Sequence, residues 1–392
     1  MKIFLTAFYL FFTFSAAHGD NLKLNLNDIS VLLPLPSAEQ WNLLLQPNQL
    51  GKNGILLPQN YVAKEIPTLL QFTANEKLYP DLRVIGFRID PCFTEGRGPV
   101  KCKQQIRFVW QPLKIVDEKT QTIDVALHSF YELETDSFKA LIQQLKVLKT
   151  MSSSTDRTAQ QALSIHPIIA QEGLDGFYYQ NLIKIILSYV GQKNLSRITF
   201  MQLFANETVW FFGGLDISKS DGTSKKINIP RINLTLQQFI NSAPPARAST
   251  SFLGRIFPLP DQKEDNINIL LSDSRLLDEK SEKEIVESVR SAHRIENPKL
   301  HNPGTLDCVS CHAAQPARIW AETNFSYFNY GDLSKTIYTP SPTGQNLENI
   351  SPLKNLTNIV RIFGYFDDQP IVTTRAINET NEAIYLIQNE YQ

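Results

Sequence analysis

Residues 84–92, VIGFRIDPC, and residues 102–110, CKQQIRFVW, decide how this chain is read. In the first stretch Ile85, Phe87 and Ile89 alternate with Gly86, Arg88 and Asp90. In the second, Ile106, Phe108 and Trp110 alternate with Gln105, Arg107 and Val109. A period of two belongs to a strand, whose successive side chains point to opposite faces, so each stretch predicts a strand with one buried face. The intervening FTEGRGPVK is turn-rich, and Cys92 and Cys102 bracket it. The pattern predicts two antiparallel strands joined by a loop whose base is closed by a Cys92–Cys102 disulfide.

Outward from this pair, residues 123–130 read as a third strand. A helix follows, capped by Asp136, with Phe138, Leu141, Ile142, Leu145 and Leu148 on one stripe. A second helix runs from about Phe177 to Val190 and stops at Gly191, and Val209–Phe212 belongs to a hairpin. Beyond residue 255, residues 278–293 read as an amphipathic helix, 359–366 as a strand and 378–388 as a closing helix. Strands followed by helices and strands again predict an α+β fold. Antiparallel strands and packed helices form an N-terminal domain over residues 20–243. The Pro-, Ala- and Ser-rich NSAPPARASTS marks a linker over 244–255, and a smaller mixed C-terminal domain covers 256–392.

With 42% apolar and 20% charged residues among 392, the chain is too hydrophobic for a disordered protein. A net charge of −1 gives no reason to expect nucleic acid or an anionic membrane as partner. Lys2, the apolar run Ile3–Phe14 and the small residues Ser15, Ala16, Ala17 and Gly19 read as an export signal over residues 1–19. No later run is long and apolar enough to span a bilayer, so no transmembrane segment is expected in the mature chain. Export, to the periplasm or the medium, also permits the disulfide.

The remaining cysteines fall in Cys308-Val309-Ser310-Cys311-His312. With Thr305 as a helix N-cap, the two thiols and the imidazole would share one face at i, i+3 and i+4. The pentad resembles the attachment motif of c-type cytochromes. That resemblance implies covalent haem c on Cys308 and Cys311, His312 as an axial iron ligand, and electron transfer with a redox partner protein. The pentad, taken with Asp307 and the strand ending Asp90-Pro91-Cys92-Phe93, also resembles uncharacterised secreted proteins of Gram-negative predatory and social bacteria. No methionine or histidine follows His312. The sixth position is therefore filled by His301, by a residue of the N-terminal domain, or by nothing, and an open position would suit a haem-dependent oxidoreductase.

Two other readings stand beside this one. His301, Cys308, Cys311 and His312 could hold zinc. Alternatively, Cys308 and Cys311 form a structural or redox disulfide in a non-enzymatic secreted or surface binding protein. His128 and His166, set among apolar residues, read as core histidines. No other catalytic motif occurs.

Overall fold

A computed structural model describes residues 23–66, 78–93, 102–151, 160–204, 209–241, 254–261, 263–271 and 276–391. The expected export signal and all of the expected linker up to residue 253 lie outside the described residues.

The fold is α+β, built on a large antiparallel sheet. The described residues contain fourteen strands: β1 (Ser30–Leu32), β2 (Leu50–Gly51), β3 (Gly54–Ile55), β4 (Leu82–Phe93), β5 (Lys103–Val116), β6 (Lys119–Thr122), β7 (Val125–Leu133), β8 (Leu195–Phe204), β9 (Val209–Ile217), β10 (Ser224–Lys226), β11 (Leu236–Asn241), β12 (Gly254–Phe257), β13 (Phe363–Phe366) and β14 (Gln369–Val372). Ten of them form one sheet in the order β1-β4-β5-β7-β8-β9-β11-β12, with β6 beside β5 and β10 beside β9. The two alternating stretches pair as expected, with Phe87 opposite Phe108, Arg88 opposite Arg107 and Ile89 opposite Ile106. Cys92 and Cys102 are disulfide-bonded across the loop base.

Both faces of this sheet are covered. On the first, Phe87, Phe108, Trp110, Phe200 and Phe211 pack into an apolar cluster with the helices Thr135–Met151 and Phe177–Leu187. The polar groups buried there are satisfied in series. Trp110 Nε1 donates to Ser129 Oγ at 2.8 Å, Ser129 Oγ donates to Tyr131 OH at 3.0 Å, and Tyr131 OH donates to the Leu56 carbonyl at 2.7 Å. The next residues along β8 and β9, Met201 and Phe212, point the other way. They join a second cluster with the helices Glu282–Ile295 and Cys308–Asn324.

The C-terminal segment holds a two-stranded sheet, β13–β14, and a closing helix, Thr374–Glu390, capped by Thr373. Gln111 of β5 clamps the hairpin, accepting from Tyr365 N at 2.8 Å and donating to Tyr365 O at 3.1 Å. Ile377, Ile384 and Ile387 of the closing helix belong to the first cluster, alongside residues from the beginning of the described chain. Across the expected linker, β12 pairs directly with β11. No described helix is long and apolar enough to cross a membrane.

The disulfide closes a loop of sequence separation 10, for which chain-entropy arguments give about 3 kcal/mol of stabilisation. Cys92→Ser, or reduction of the wild type, should lower the free energy of unfolding in urea by about that amount. Cys92→Ser should then be insensitive to reductant.

Candidate functional site

The helix Cys308–Asn324 begins at the first cysteine of the pentad. Its N-cap is Asp307, whose Oδ2 accepts from Ser310 N at 2.9 Å. The expected cap, Thr305, instead donates from Oγ1 to the Asn302 carbonyl at 3.0 Å. The difference arises from residues far away in sequence. Gln237 of β11 accepts from Val309 N and donates to Asp307 Oδ2, each at 2.9 Å. Arg231 Nη1 lies 3.7 Å from Asp307 Oδ1, with both side chains buried. The N–H groups that a helix start leaves unpaired are thus met by a carboxylate and an amide in the protein interior.

Cys308 and Cys311 are both free thiols, so the structure does not join them as a disulfide. A helix N-terminus ordinarily favours thiolate. Here burial outweighs it and pushes both thiols up, helped at Cys308 by the neighbouring Asp307. His312 places Nδ1 2.7 Å from the Val360 carbonyl. A carbonyl can only accept, so the hydrogen sits on Nδ1 and the lone pair on Nε2. Burial lowers the imidazole to about 4, against the opposing effect of that hydrogen bond, so the ring is neutral near pH 7. The ring packs on Phe212 of β9 with centroids 4.8 Å apart.

All three groups line a partly enclosed cavity between the pentad helix, the second face of the sheet and the start of the closing helix. Five arginines line it, at positions 88, 107, 197, 361 and 375, against the carboxylates of Asp307 and Glu379. Glu379 takes Arg88 Nη1 at 2.5 Å and Arg375 Nε at 2.8 Å. Arg361 pairs with Asp124. Arg375 also donates to the carbonyls of Ile295 and His301, tying the segment before the pentad to the closing helix. The Nε groups of Arg88 and Arg361 are buried without a hydrogen-bond partner. Buried polar groups are normally paired, so these two donors stand out as unmet, while Arg197 pairs with Asp216 at 2.6 Å and Arg107 lies 3.8 Å from Asp90. Phe212, Met201 and Leu306 add apolar wall.

The cavity unites Cys308, Cys311 and His312 but not His301. His301 Nε2 lies 2.6 Å from Asp265 Oδ2, and its Nδ1 lies 3.2 Å from Thr305 Oγ1. Among the described residues no three His, Cys, Asp or Glu side chains gather as a metal site. Two residues absent from the expected site line the cavity: His128, expected to be a core histidine, and Met201. Both stand on the strand face that the helices cover, and the one available signal was their parity with Arg107 across the paired strands.

No protein-family model, curated protein or solved structure matches this chain. The resemblance to c-type cytochromes, and to a secreted bacterial family, is corrected accordingly: no family model places the chain in either. What remains of it is the spacing of Cys308, Cys311 and His312, and the disulfide among the described residues is the other pair, Cys92–Cys102.

Removing the cap and the buried charge together with Asp307→Ala should cost about 3–5 kcal/mol in urea unfolding, since it leaves the buried Arg231 without its carboxylate. Asp307→Asn should cost about 1 kcal/mol less, because asparagine still caps. Burial alone would raise the Glu379 carboxyl, but Arg375, Arg88 and Arg107 hold it at about 2 instead of the usual 4.5. Between those values the unfolded chain takes up a proton that the folded chain does not. Stability should therefore fall as pH drops from about 4.5 to about 2. Glu379→Gln should flatten that part of the pH–stability curve.

Proposed function

We propose that this cavity holds a haem attached through Cys308 and Cys311 and ligated by His312, and that the protein transfers electrons outside the cytoplasm. The observation that carries the reading is the His312 hydrogen bond. Nδ1–H on the Val360 carbonyl leaves the Nε2 lone pair for a metal, the arrangement in which ligating histidines are held. The two free thiols, one helical turn apart and on the same cavity wall, would supply the attachment. Each would add across a vinyl C=C, sulfur to the inner carbon and hydrogen to the outer, a step that needs no oxidant. Raised thiol pKa values favour the S–H form that this addition consumes.

The cavity's chemistry suits the rest of such a group. Phe212 and Leu306 offer apolar contact to a flat ring system. The arginines lining the cavity, with the Nε groups of Arg88 and Arg361 not hydrogen-bonded, would be partners for its carboxylates. When bound, haem supplies reversible one-electron chemistry. The chain's own residues would orient the ring, hold the ligating imidazole in one tautomer and neutralise the acid side chains. The partner implied is a redox protein. An exported location is supported by the reading of residues 1–19 and by the Cys92–Cys102 disulfide.

Protein exported from cells with haem-attachment machinery should stay coloured through denaturing electrophoresis. Cys308→Ser/Cys311→Ser together should abolish that colour. A colourless wild-type band from such cells would overturn the proposal and leave a non-enzymatic binding protein in its place.

A further inference from the structure

We propose that His128 is a second ligand of the same iron; the inference rests on the haem reading above. His128 lies on β7 directly opposite Thr199 of β8, on the sheet face turned toward the pentad helix. Its Nδ1 stands 3.2 Å from Thr199 Oγ1, and no hydrogen bond among the described residues engages its Nε2. His312 repeats the arrangement from the other side, with Nδ1 on an oxygen and Nε2 unengaged. The cavity thus has two imidazoles, one from the helix and one from the sheet. The Val360 carbonyl fixes the Nε2 lone pair of His312, and the Thr199 hydroxyl can accept from Nδ1–H of His128, which would leave that ring's Nε2 lone pair for a metal as well.

The other candidates fit less well. Met201 lines the cavity, but its side chain is 2% exposed and packs in the second apolar cluster with Trp210, Phe212 and Phe239. His301 is held by Asp265 and Thr305 and does not line the cavity.

The test uses the exported holoprotein and reads spin state and carbon monoxide binding, with denaturing electrophoresis reporting attachment separately. The wild type should be low-spin when oxidised and, once reduced, should resist carbon monoxide. His128→Ala should keep its covalent colour, become high-spin and bind the gas readily, and added imidazole should restore the low-spin spectrum. His128→Gln, which retains a polar group beside Thr199, should give the same result if the alanine variant fails to fold. Met201→Leu should leave the spectrum unchanged. A coloured His128 variant with an unchanged spectrum, or a wild type already high-spin, would overturn the assignment while the haem reading stands. A colourless wild type would overturn both.

Discussion

A ten-stranded sheet buried on both faces cannot leave its polar side to water, and the site follows from that constraint. On the first face the requirement is met by aromatic packing and a short series of internal hydrogen bonds. On the second face, β4 and β5 present Arg88 and Arg107, side by side, to a covering layer of helices. Charges in such a place survive only if paired: Glu379 of the closing helix pairs Arg88, and Asp90 lies 3.8 Å from Arg107. The cover is apolar where it meets Met201 and Phe212 and charged where it meets the arginines, so the cavity has one greasy side and one cationic side.

Local regularities were legible in the chain. The alternation in residues 84–92 and 102–110, the cysteines at their ends and the stripe Phe138–Leu148 each depend on neighbours a few residues away. The structure reproduces them as β4, β5, the disulfide and the helix Thr135–Met151. What could not be read was the fate of the polar parity. Arg88 and Arg107 alternate with apolar residues as a solvent-facing row would, and nothing local distinguishes solvent from a second covering layer. The same blindness hid His128, which reads as a core histidine because its strand neighbours are apolar, although it lies on the cavity wall.

The start of the pentad helix shows how distance enters. Thr305 and Asp307 are both good capping residues by type. The choice between them is made by Gln237 and Arg231, about 70 residues earlier. These residues hold Asp307 so that its carboxylate meets the helix N–H groups while its charge is balanced. The thiols' protonation is likewise set by enclosure and not by helix position, so the spacing of the pentad alone could not predict it.

The Arg88–Glu379 ion pair spans 291 residues, and this has a consequence for the order of events during biogenesis. Glu379 and Arg375 follow in sequence every other residue named on the cavity wall, so their pairing waits on chain made after the strands they meet. Until it docks, the start of the pentad helix lies open on the side that the closing helix later covers. Pairings this distant form late in folding. Access to Cys308 and Cys311 is therefore greatest before the closing helix docks, and its docking narrows the way to them.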